Sequence, residues 1–80
     1  MTYFFDLDSG TGRVDDAEGL TLANDDEALQ LAKRGLAGIA KDAIAAAKHD
    51  TTLTMWVKDE LGREVAELAV EFRIAKPGSA

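Results

Sequence analysis

Apolar residues recur along this chain with two different periods. Over residues 24–48 they return every three to four positions: Leu29, Ala32, Leu36, Ile39, Ala40, Ala43, Ile44 and Ala47 share one stripe of a helix, with Glu27, Arg34, Lys41 and Asp42 away from it. Asn24 followed by Asp25, Asp26 and Glu27 has the form of a capping box, and this acidic run suits the positive end of the helix dipole as Lys48 suits the negative end. The stripe is rich in alanine, which lets the helix lie close against a sheet. Gly35 and Gly38 read as tolerated slack at the side of the stripe or opposite it, and Leu31 as an exposed leucine.

On either side of this helix the period falls to two. Residues 2–8 alternate Tyr3, Phe5 and Leu7 against Phe4, Asp6 and Asp8, the pattern of a half-buried strand. Ser9-Gly10-Thr11-Gly12 turns the chain into a short second strand over 13–15, Asp16-Ala17-Glu18-Gly19 turns it again, and Leu20 and Leu22 anchor a brief extended segment before the helix cap. Residues 51–58 form the strongest strand, with Leu53, Met55 and Val57 against Thr52, Thr54, Trp56 and Lys58. Asp59-Glu60-Leu61-Gly62 is a turn with glycine where positive φ is needed, and the last strand spans 63–75. Its apolar positions change phase between Val65 and Leu68, which predicts a bulge near Ala66 and Glu67. The fold class expected is α+β: an antiparallel sheet of three to four strands in the order ββαββ, with one long helix on one face. Residues 1–76 make one domain and 77–80 a disordered tail.

If the phases hold, Tyr3, Phe5, Leu7, Leu53, Met55, Val57, Leu68, Val70, Phe72 and Ile74 meet the helix. The other face then carries Phe4, Thr54, Trp56, Lys58, Ala69, Glu71 and Arg73. Two readings of the aromatics stand side by side: neighbouring long side chains part-cover them, or Phe4, Trp56, Thr54, Lys58 and Arg73 form a candidate contact surface, because stiff aromatics serve as interface anchors.

Eighty residues, 46% of them hydrophobic and 30% charged, suit one globular domain near the lower size limit for a self-sufficient core, which favours oligomerisation. Without cysteine there are neither disulfides nor thiolate metal sites. No apolar run approaches the ~20 residues of a membrane span and no basic leader precedes an apolar run, so the expected compartment is the cytoplasm. A formal net charge of −6 weighs against nucleic acid and anionic membranes.

Candidate chemistry is sparse. The serines stand in a turn and in the tail, and the single histidine, His49, reads as a cap at the end of the helix, so no nucleophile and base can be paired. Asp6, Asp8, Asp15, Asp16 and Glu18 gather in the first hairpin, but Thr11 and Ala17 stand where a calcium loop needs glycine and glutamate, so they read as solvated acidic turns. No catalytic group, metal or cofactor is expected.

The opening Tyr3-Phe4-Phe5-Asp6, the Asp16-x-x-Gly19 turn followed by Leu20 and Leu22, the alanine-rich helix and the Val57-x-Asp59-x-x-Gly62-Arg63 hairpin together resemble a family of small bacterial proteins classed as a domain of unknown function. That resemblance implies a small bacterial α+β domain and carries no activity over. A looser likeness is to dodecins, in which a strand tryptophan stacks on flavin, the part Trp56 would take, although a hairpin precedes the helix here. The leading expectation is a non-enzymatic interaction or structural module that forms a homodimer, or meets another protein, through the open face or an exposed strand edge. The alternatives are a binder of a planar, flavin-like ligand at Trp56 and, behind it, a single-stranded nucleic-acid binder.

Overall fold

The computed structural model describes residues 1–78. Five strands and one helix follow in chain order: β1 (Thr2–Asp8), β2 (Arg13–Val14), β3 (Leu20–Thr21), α1 (Asp25–Ala46), β4 (Thr51–Asp59) and β5 (Glu64–Phe72). The sheet runs β2-β1-β4-β5, β3 pairs with β1 as well, and every pairing is antiparallel. The architecture is α+β with a single helix on an antiparallel sheet, as the two periods required. The strand count rises to five because the segment at Leu20 makes a true pairing, Thr2 with Thr21 and Tyr3 with Leu20.

The helix begins where the capping pattern placed it, with the Asn24 side chain accepting a hydrogen bond from the Glu27 amide at 2.8 Å. It ends earlier than the sequence suggested. Ala47 is the C-cap, its amide donating to Ile44 O, and no basic residue lies in the last turn itself, Lys48 and His49 following directly after the cap.

The buried row is Ala28, Ala32, Leu36 and Ala40, spaced four apart, with Ile39 and Ala43 beside it. This corrects the expected stripe: Ala28 belongs to it, while Ile44 is 42% exposed and Leu29 and Leu31 are both half-buried. A four-residue row runs inclined to the helix axis, and a twisted sheet selects one such row rather than the full width of an apolar stripe. Gly35 and Gly38 face open space, consistent with slack.

Below the helix, Tyr3, Leu53, Met55 and Val57 complete the core, and Phe5, Leu7, Leu22, Val65, Ala66, Leu68 and Val70 pack partly buried around it. Met55 is buried and Trp56 lies on the other face, so the phase of β4 is as read. The irregularity in β5 sits at Val65, one residue before the expected place: Val57 pairs with Ala66 and Lys58 with Glu64, leaving Val65 as the extra residue. β5 stops at Phe72, so Ile74 lies outside the ladder, although its amide still reaches Asp50 Oδ1 at 2.8 Å. Of the expected tail, Pro77 and Gly78 form a turn, while Ser79 and Ala80 lie outside the described residues.

One glycine is fixed by its surroundings. Gly19 has φ 71°, and a Cβ there would stand 2.7 Å from Thr2 Cγ2, 2.9 Å from Phe4 Cε1 and 3.0 Å from Tyr3 O. Gly19→Ala is therefore expected to cost about 2 kcal/mol and to lower the melting temperature by roughly 10 °C in a circular dichroism melt. An unchanged melt would show that the loop can step away from β1.

Candidate functional site

The face of the sheet away from the helix is organised around a carboxylate. Asp6 points to this side of β1, directly across from Trp56 on β4, and its residue exposure is 0%. Burial of this kind requires partners for both oxygens. Oδ1 accepts from the Asp16 amide at 2.9 Å, and Oδ2 accepts from Arg13 Nη2 at 2.8 Å and lies 3.0 Å from Lys58 Nζ. Burial pushes the Asp6 carboxyl up, but the Asp16 amide, Arg13 and Lys58 together outweigh it and hold it below the usual carboxylate range. Reading Asp6 as part of a solvated acidic turn is thus corrected: the strand that follows the turn brings an arginine back over it.

Arg13 also covers Trp56. Its guanidinium carbon stands 4.4 Å from the ring centroid, a cation–π arrangement, while Trp56 Nε1 donates to Glu67 Oε1 on the neighbouring strand at 2.6 Å. Phe4, the other aromatic of this face, is half-buried under the loop at Gly19. Both aromatics expected to look outward do occupy this face, and both are already partly covered by the chain itself. A planar ligand stacking on this side of Trp56 must displace Arg13.

The remaining candidates are dispersed. Lys58 belongs to the Asp6 cluster, and Thr54 is half-buried opposite Asp8. Arg73 lies past the end of β5, six residues beyond Glu67 and so roughly 20 Å along the strand direction, and it pairs with Glu71 at the surface. The shallow depression that does form here is lined by Arg13, Trp56, Lys58, Gly62, Glu64 and Glu67. Arg13 and Glu67 were not singled out by the sequence because both act across strand pairings that local patterning does not specify.

A second polar cluster ties the β4–β5 turn to the helix start. Asp59, 2% exposed, accepts through Oδ1 from the Leu61 and Arg63 amides and through Oδ2 from Arg63 Nε at 3.0 Å. Arg63 Nη2 donates onward to Asp25, which also accepts from the Tyr3 hydroxyl at 2.8 Å. Burial raises the Asp59 carboxyl, while the turn amides and Arg63 bring it below its ordinary range. The guanidinium and the phenol do the same for Asp25.

The two edges of the sheet are finished differently. On β1, Tyr3 pairs with β3 and Leu7 with β2, and between them the Phe5 amide donates to Asp16 Oδ2 at 3.1 Å. Asp16 Oδ1 accepts from the Glu18 and Gly19 amides, and these contacts, the Gly19 amide foremost, lower the Asp16 carboxyl. A side chain thus completes the row where no strand residue stands. β5, in contrast, pairs with β4 alone among the described residues.

A family model described as a domain of unknown function, DUF6894, matches residues 2–71. The chain belongs to this family. The DUF6894 match begins at the first residue of β1 and ends one residue short of the end of β5, so it includes both polar clusters and both edges. No curated protein and no solved structure matches the chain. Among the described residues, no three histidine, aspartate or glutamate side chains gather to hold a metal ion, and no helix is long and apolar enough to cross a membrane.

Proposed function

We propose that this DUF6894 protein is a self-associating, non-enzymatic interaction module that works by strand addition at the outer edge of β5. The carrying observation is the asymmetry of the sheet: β1 is sealed by β2, Asp16 and β3, while the nine residues of β5 keep one edge unpaired among the described residues. An unpaired edge is a template for another strand. Apolar side chains along it reinforce the reading, since Leu68, Val70 and Phe72 are only half-buried by the helix. The open face supplies no comparable surface, because its buried acid is neutralised by Arg13 and Lys58 and Arg13 lies over its tryptophan.

The direction of the β5 amides makes a selective test possible. In an antiparallel sheet alternate residues turn their N–H and C=O to opposite edges. Phe5 turns to the Asp16 side, so even positions of β1 face β4, and counting across the registers turns Ala66, Leu68, Val70 and Phe72 toward β4. The Ile74 amide, directed at Asp50 next to β4, agrees. Glu67, Ala69 and Glu71 therefore present their amides outward. Proline at Ala69 removes an outward donor without touching the β4–β5 ladder. The parent is expected to show a concentration-dependent mass in sedimentation, and Ala69→Pro to lose it while keeping the circular dichroism spectrum. Identical mass curves for the two proteins would overturn the reading.

A further inference from the structure

Resting on that reading, we infer that the strand added to β5 is β5 of a second copy, antiparallel about a two-fold axis at Val70. A two-fold pairing must place outward-turned residues opposite one another, which restricts the axis to a residue position rather than a point between residues. Charge then selects the residue. With the axis at Val70 and β5 lengthened by the one residue Arg73, Glu67 faces Arg73 of the second copy and Arg73 faces its Glu67, while Leu68 meets Phe72 and Val70 meets Val70 on the helix side. Moving the axis to Ala69 sets Glu67 against Glu71, and moving it to Glu71 sets two glutamates face to face; like charges directly opposite are destabilising. An axis at Leu68 sets Glu67 against Ala69 and runs Glu71 onto the irregularity at Val65, so neither carboxylate gains a cation opposite it. An axis at Phe72 pairs Glu71 with Arg73 but runs onto residues 73–75, beyond the end of β5, and sets Pro77 opposite Glu67.

The existing contacts allow this arrangement. Among the described residues Arg73 pairs with Glu71 alone, both side chains being largely exposed, so its guanidinium can turn to a facing carboxylate. On the helix side, Ile44 is 42% exposed beside a small apolar pocket that Val70 and Phe72 help to line, so added strand residues meet apolar surface there. The second copy thereby covers the row that one helix cannot reach.

The register predicts a complementation. Arg73→Glu alone places two glutamate pairs across the axis, and Glu67→Arg alone places two arginine pairs; each is expected to weaken self-association about tenfold. Mixed in equal amounts, the two variants present glutamate opposite arginine at both positions and form a heterodimer of near-parental affinity, read by sedimentation with one chain fluorescently labelled. Circular dichroism of each variant confirms that the fold is kept, since Glu67 also holds Trp56. If Glu71→Arg, and not Glu67→Arg, complements Arg73→Glu, the axis is at Phe72 and the inference is wrong. If neither complements while Ala69→Pro still abolishes association, the edge stands and this pairing of copies falls. A parent protein that stays monomeric at all concentrations overturns both.

Discussion

Ala32→Leu is expected to destabilise the domain by about 3 kcal/mol and to lower its melting temperature by roughly 15 °C or more. Ala32 is 1% exposed in the middle of the row Ala28, Ala32, Leu36 and Ala40, which sets the distance between helix and sheet. Added methylenes there meet Leu53, Met55 and Val57, all at most 5% exposed, so no neighbour has solvent to move into. Interiors are packed as densely as organic crystals, and overpacking at such a place shifts the backbone. Because the helix shields one side of β5, Ala32→Leu should also expose more of Leu68 and Val70. Thermal melts check the first effect and dye binding to apolar surface the second. A leucine variant as stable as the parent would mean that the helix rides on Leu36 and not on the alanines.

Asp6→Ala is expected to cost about 2 to 3 kcal/mol. Breaking a buried ion pair typically costs more, about 3 to 5 kcal/mol, because a charge is left stranded. Here the orphaned Arg13 and Lys58 side chains are 45% and 38% exposed and can turn to water, so the loss falls to that of hydrogen bonds to a charged group plus one unpaired Asp16 amide. The same residue contributes to the acid limb. Folding holds the carboxyls of Asp6, Asp16, Asp25 and Asp59 below their ordinary range, so the unfolded chain takes up protons first. Their contribution is complete above the unfolded carboxylate pKa, near ~4, and is lost as pH falls through the lower folded values. Asp6→Asn should flatten this limb without abolishing it, since three other acids remain. Melts between about pH 2 and 8 compare the two proteins, and superimposable acid limbs would remove Asp6 from the account.

The helix, its cap and the faces of three strands could be read before the structure because each depends on residues near one another. Asn24 and Glu27 are three positions apart, and the alternation of Leu53, Met55 and Val57 needs no distant partner. The polar arrangement could not be read in that way. Asp6, Arg13, Lys58 and Glu67 come together only once β1, β2, β4 and β5 are in register, and a one-residue slip would send Asp6 into the core face. Asp16-x-x-Gly19 was recognisable as a turn, but its carboxylate replacing a strand residue beside Phe5 was not, since an Asx turn closes on its own amides wherever it occurs. Short β3 was legible as a brief extended segment but not as a paired strand, two residues being too few for alternation to register.

The aspartate that fills the gap between β2 and β3 beside Phe5 completes the closure of one margin of the sheet. Polymers of stacked strands need every unit to offer a donor side and an acceptor side; a unit blocked at one of them can join a single neighbour and then has nothing left to propagate. If copies join at the open margin of β5, the carboxylate and the two short strands flanking it set a stoichiometric ceiling on that growth, and with it a barrier to fibres.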